Sequence, residues 1–126
     1  MTIKYLTIKN PKEFKLSPLN CKKSHTNSLT IIAGITPPIY YQNKSLDQNL
    51  LNFCRVGITV SKQISKKSST RNLIKRRIRS VLKHILPNYG LDKYDYIIIA
   101  KKNIVEVSFE NIYNEVKYSF KKISKS

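Results

Sequence analysis

The residues best suited to chemistry lie in one short segment of the chain. Four of the five arginines fall within nine positions of "STRNLIKRRIRSVLKHIL" (residues 69–86), namely Arg71, Arg76, Arg77 and Arg79. The other 19 of the 24 basic residues are lysines, which are spread along the whole chain. An arginine guanidinium is a planar fork that binds phosphate through paired hydrogen bonds and stacks on flat groups. The cluster therefore indicates a partner that is anionic, planar or both.

The overall charge points to the same kind of partner. The 126 residues include 24 Lys and Arg but only 7 Asp and Glu, which gives a formal net charge of +17. Such self-repulsion disfavours a compact state unless a polyanion neutralises it. Acidic residues are absent from 48–91, and the basic residues of that stretch are Arg55, Lys62, Lys66, Lys67, Arg71, Lys75, Arg76, Arg77, Arg79 and Lys83. The length indicates a single domain over residues 1–126, with 121–126 as a basic tail, and charge clustered in this way indicates that the domain binds a nucleic acid.

A self-sufficient catalytic site is hard to build from this sequence. The seven acids are scattered, and the two histidines, His25 and His84, have no carboxylate near them in sequence. Only three glycines are present, so no glycine-rich phosphate loop can form, and Cys21 and Cys54 match neither a zinc spacing nor a disulfide framework. We therefore expect no catalytic residues and no metal ligands in the chain itself. Without a signal peptide or a long apolar run, we also expect a cytoplasmic protein with no membrane partner.

Local patterns predict the elements that would position the arginines. A first helix is expected from Asn10, as N-cap, to Pro18. The remaining elements are predicted as a strand at 28–35, a loop at 36–52, a strand at 53–62, a helix from Ser69 or Thr70 to "PNYG", a strand at 94–102, a helix from about Ser108 and a frayed tail at 121–126. This order indicates an α+β two-layer sandwich, with about four strands packed on helices and the basic helix crossing between two neighbouring strands.

The basic helix is amphipathic in an unusual way. At about 100° per residue, its apolar face comprises Ile74, Ile78, Val81, Leu82 and Ile85. The adjoining arc holds Arg71, Asn72, Lys75, Arg76, Arg79 and Lys83, with Arg77 outside it. A solvated helix face would mix charge signs in i,i+4 pairs, whereas this helix has no acid. The helix is predicted to lie between two strands, which argues against a helix-turn-helix and favours a folded RNA as the partner.

Three consecutive segments resemble the protein subunit of bacterial ribonuclease P. They are "RVGITVSK", "QISKKSST" and "RNLIKRRIR", followed by "DYIIIAKK" and an amphipathic last helix. The opening "LTIKNPKEF" is similar to the family's first helix, and the likeness extends from residue 6 to about residue 123. The resemblance implies the fold order αβββαβα, with a left-handed crossover through the basic helix against the right-handed default.

The resemblance also implies an activity and its residues. The protein would bind the catalytic RNA subunit and the 5′ leader of precursor tRNA, and would assist Mg²⁺-dependent endonucleolytic removal of that leader. The RNA would carry the chemistry and most of the Mg²⁺, and no protein partner would be required. RNA contacts are expected at Arg71, Asn72, Lys75, Arg76, Arg79, Lys62, Lys66, Lys67 and Lys83. Leader contacts are expected at Phe14, Arg55 and Ser61.

The sequence departs from the family pattern at three places. Leu73 replaces an Arg or Lys of the arginine motif, Pro18 replaces a second aromatic residue, and Lys66, Ser68 and Ser69 replace a Gly and Ala-Val in the preceding loop. Two other functions remain open: a ribosome-associated structural RNA-binding protein, and a nuclease that acts without RNA.

Overall fold

The protein is a mixed β-sheet with two long helices. A computed structural model of the chain describes residues 4–7, 21–35, 53–91 and 94–125. The elements are β1 (Lys4–Thr7), β2 (Lys22–His25), β3 (Leu29–Ile35), β4 (Phe53–Thr59), α1 (Ser68–Tyr89), β5 (Tyr94–Ala100), a 3₁₀ helix (Lys102–Glu106) and α2 (Phe109–Lys125). The predicted α+β sandwich is confirmed.

The sheet places the basic helix between two neighbouring strands. Its strand order is β1-β4-β5-β3-β2. β4 runs parallel to β1 and β5, and β3 runs antiparallel to β5 and β2. Because β4 and β5 are adjacent and parallel, α1 forms the crossover that the sequence predicts, while its handedness stays a prediction. β5 is the central strand, which explains its almost continuous apolar run.

One face of the sheet, together with α1 and α2, forms the core. Ile31, Ile98 and Val56 point to this face and are buried with the apolar side of each helix. The Tyr96 ring stacks on the Phe120 ring with centroids 4.6 Å apart, which joins β5 to α2. Burying each large apolar side chain stabilises the fold by about 1.5–3 kcal/mol, so this core fixes where α1 lies.

Several predicted boundaries are wrong. α1 begins at Ser68, with Lys67 rather than Ser69 or Thr70 at its N-cap and no side-chain cap. Residues 121–125 continue α2 instead of fraying, because Ile123 is 1% exposed and anchors the last turn in the core. The four-residue strands β1 and β2 are too short and too polar to have been recognised, so the sheet has five strands rather than about four. The predicted first helix and the 36–52 loop lie outside the described residues.

Candidate nucleic-acid interface

The outer side of α1 presents its cations to solvent. All five residues of the predicted apolar face are buried, and Leu86 extends that face by one position. This packing turns the opposite side of the helix outward, where Asn72, Arg76, Arg79 and Lys83 are exposed and Lys75 is half-buried. The core therefore sets the orientation of the cationic side chains, and a rise of about 1.5 Å per residue sets their spacing.

No acidic side chain neutralises this surface within the described ranges. The only ion pair among these residues joins Arg55 to Asp95, and neither lies on α1. Glu115 is occupied elsewhere, since it accepts hydrogen bonds from the Ser28 amide (2.8 Å) and hydroxyl (2.5 Å) at the β2–β3 turn. Burial opposes ionisation of Glu115, but these bonds and others from the same turn lower its pKa overall. Within the described ranges, the cations of α1 are therefore not paired with an acidic side chain.

Arg71 differs from the other arginines of the helix. It is half-buried, and its Nη1 donates hydrogen bonds to the carbonyl oxygens of Ser65 (2.8 Å) and Lys66 (3.1 Å). These bonds hold the turn that leads from β4 into α1. Arg71 therefore positions the turn, and its predicted phosphate contact stays a prediction.

The turn before α1 carries further predicted RNA contacts. Ser61, Lys62, Lys66 and Lys67 are all exposed. The Ile64 amide donates to the Ser61 carbonyl at 3.1 Å, which closes the first part of the turn. Because this turn leads directly into α1, the three lysines and Ser61, a predicted leader contact, lie next to the start of the helix.

A groove runs between α1 and the first residue of α2. Its volume is about 490 Å³, and it is lined by Leu73, Arg76, Arg77, Arg79, Ser80, Lys83 and Phe109. Phe109 follows the helical spacing of the apolar face of α2, yet it is 43% exposed at the very start of that helix. Sequence reasoning missed this site because Arg77 falls outside the predicted arc and a helical wheel does not show which side chains meet across two helices.

The predicted leader residues have different environments. Arg55 is 7% exposed, and its Nε and Nη2 donate to the two carboxylate oxygens of the fully buried Asp95 at 2.9 and 2.8 Å. Arg55 and Asp95 are directly opposite in the β4–β5 register, on the sheet face away from the helices because they alternate with core residues. Their guanidinium–carboxylate pair ties the two strands together. Phe14 lies outside the described residues, and the role of Arg55 in leader binding stays a prediction.

The described residues do not themselves suggest metal or acid–base chemistry. Among them, no group of three His, Cys, Asp or Glu side chains is close enough to hold a metal ion. His25 contacts the Thr30 hydroxyl through Nδ1 at 3.1 Å, and Cys54 is buried as the sequence predicts. In these same ranges, neither helix is long and apolar enough to cross a bilayer. The arrangement is suited to binding an anionic polymer.

Comparison with known proteins gives a consistent family. The Ribonuclease P family model matches residues 4–124. The ribonuclease P protein component of Rickettsia bellii is 35% identical over 111 residues, which cover 87% of each protein. The ribonuclease P protein of Staphylococcus aureus has a similar structure, with a TM-score of 0.68 at 20% identity over 93% of this chain and 94% of that one. The protein from Thermotoga maritima aligns with a TM-score of 0.56 at 19% identity, over 76% and 77% of the two chains.

Proposed function

This chain belongs to the ribonuclease P protein family, and we propose that it is the RNA-binding subunit of a ribonuclease P holoenzyme. In that role it binds the catalytic RNA and the 5′ leader of precursor tRNA and assists endonucleolytic removal of the leader. The observation that carries this proposal is the exposed side of α1, where Arg76, Arg79 and Lys83 make no ion pair within the part of the chain that the structure describes.

The shape and charge of this surface suit a folded RNA. Guanidinium and ammonium groups held on a rigid helix contact backbone phosphates at fixed spacing, which sets the register of the complex. Release of condensed counterions from those phosphates supplies affinity that falls with rising salt. Lys62, Lys66 and Lys67 extend the same charge along the turn before α1. We assign Arg76, Arg79 and Lys83 to the RNA subunit, with Arg71 holding the turn in place.

Leader binding is assigned to the neighbouring end of β4. Ser61 and Lys62 are exposed just after this strand and are available to contact a single-stranded backbone. Arg55 contributes by holding β4 against β5 through Asp95. This division gives the two RNAs adjacent contact surfaces, with Lys62 at the boundary between them.

The metal ion is assigned to the RNA. The described residues do not provide a cluster of carboxylate ligands for Mg²⁺, so this chain does not fit the role of metal holder over those ranges. Phosphate oxygens of the RNA subunit and of the substrate supply the hard oxygen ligands that Mg²⁺ prefers. The protein acts on this chemistry by neutralising phosphate repulsion around the site.

Reconstitution tests the proposal. Precursor tRNA is incubated with a bacterial ribonuclease P RNA at low Mg²⁺, with and without the purified, RNA-free protein. We expect the protein to restore cleavage at the mature 5′ end, and the protein alone to cleave nothing. No stimulation would favour a ribosome-associated binding protein, which would be equally basic, and cleavage without the RNA subunit would show a nuclease that acts by itself.

A further inference from the structure

The groove between α1 and α2 combines two properties that a simple phosphate-binding surface does not need. Arg76, Arg77, Arg79 and Lys83 line it, but so do Leu73 and Phe109, whose side chains are 41% and 43% exposed. Contact with phosphates alone would leave this apolar surface in water. An apolar peptide would have to pack against four cations that have no acidic neighbour among the lining residues.

A nucleotide satisfies both properties at once. Every base has a π-face that stacks on an aromatic ring, and the phosphates on either side of it pair with arginine or lysine. The groove volume of about 490 Å³ lies within the range of small-ligand sites. Ser80 is exposed on the same wall and offers a hydroxyl that both donates and accepts, which suits a base edge or a ribose 2′-hydroxyl.

The stacking surface requires a base that is not already stacked. Bases in an A-form duplex are paired and covered on both faces, so they cannot reach Phe109, whereas loops and bulges present free bases. We propose that this groove binds an unpaired nucleotide of the RNA subunit, with its base on Phe109 and Leu73 and its phosphates held by Arg76, Arg77 or Arg79. This inference rests on the proposed function. It adds a contact with a base to a surface whose other assigned contacts are with phosphates.

Leu73 supplies apolar surface to a groove otherwise lined mainly by cations. On α1 it lies one turn before Arg76 and Arg77, so that an apolar side chain stands beside two guanidinium groups. A cation at this position would remove the apolar surface that Leu73 contributes and leave that of Phe109. Leu73→Lys therefore separates the two kinds of contact, since it adds charge while taking away the apolar wall.

The test measures binding to a bacterial ribonuclease P RNA at several salt concentrations. Phe109→Ala should weaken binding about tenfold without changing the slope of log affinity against log salt, because a stacking contact is lost but no phosphate contact. Phe109→Tyr should bind like the wild type. Phe109→Leu should be as weak as the alanine variant, because it keeps apolar bulk but has no ring face.

Matched controls separate this inference from the proposed function. Tyr118→Ala removes an aromatic side chain that is 58% exposed on α2 and does not line the groove, and it should leave affinity unchanged. Circular dichroism checks that each variant is folded. If Phe109→Ala does not fold, the comparison of Phe109→Leu with Phe109→Tyr is the test. If the wild-type protein binds the RNA, and Phe109→Leu binds it as tightly as Phe109→Tyr does, the inference about the groove is wrong while the proposed function stands. Failure of the wild-type protein to bind the RNA or to stimulate cleavage would overturn the proposed function first.

Discussion

The buried pair between Arg55 and Asp95 should be a strong determinant of stability. Asp95 is fully buried, Arg55 is 7% exposed, and two charge-assisted hydrogen bonds of 2.9 and 2.8 Å join them. Asp95→Ala removes both acceptors and leaves the guanidinium with little access to water. Losing one partner of a buried pair costs about 3–5 kcal/mol, which is a large fraction of the ~5–15 kcal/mol that stabilises a typical domain.

Urea unfolding followed by circular dichroism measures this loss. With a slope of about 2 kcal/mol per molar urea, the midpoint should fall by roughly 2 M. Glu106→Ala is the matched control, because it removes an exposed carboxylate from the 3₁₀ helix, and it should change stability by less than about 0.5 kcal/mol.

A double variant separates the value of the pair from the cost of keeping the Arg55 charge buried without the Asp95 carboxylate. Arg55→Met with Asp95→Leu replaces both groups by apolar side chains of similar size, and it should regain most of the lost stability. A loss below about 1 kcal/mol for Asp95→Ala would refute the reasoning, as would a double variant no more stable than the single one.

Three further predictions follow from the hydrogen bonds. Glu115→Gln should lower the free energy of unfolding by about 1 kcal/mol at neutral pH. This difference from the wild type should vanish as the pH falls through the lowered pKa of Glu115, because the unfolded chain takes up the proton first. Urea unfolding across the acidic pH range measures the difference. Arg71→Ala should speed trypsin cleavage within residues 61–67, because the turn loses its two carbonyl contacts. Burial raises the pKa of Tyr96 despite the hydrogen bond from the Leu91 amide. Ionisation therefore favours the unfolded chain, and the free energy of unfolding should fall as the pH rises through the ordinary tyrosine range. Tyr96→Phe should lose about 1 kcal/mol of stability at neutral pH but should lack this part of the alkaline loss.

Helical periodicity was sufficient to predict the orientation of α1. Ile74, Ile78 and Ile85 recur at the spacing of one helix face, and all are buried. Burial of this face leaves only one direction for the cations between them, so exposure of Arg76 and Arg79 follows from local sequence alone. Family membership was predictable from resemblance, because the arginine motif and the strand before it are contiguous in the chain.

Contacts between distant segments could not be predicted in this way. Alternation in β4 places Arg55 on the face opposite Cys54 and Val56, which predicts exposure. Its buried charge is paired with Asp95, 40 residues later, which faces it only once α1 has brought β5 beside β4. The groove has the same origin, since Phe109 meets α1 only when both helices pack on the sheet.

The most direct test of the RNA interface compares two variants that lose equal charge. Arg76→Ala with Arg79→Ala alters α1, and Lys122→Ala with Lys125→Ala alters exposed positions of α2. Affinity for a ribonuclease P RNA is measured against salt for both and for the wild type. We predict that the arginine variant lowers the magnitude of the salt slope by about two and the lysine variant leaves it nearly unchanged. Equal slopes for the two variants would contradict the assignment of α1 as the RNA-binding surface.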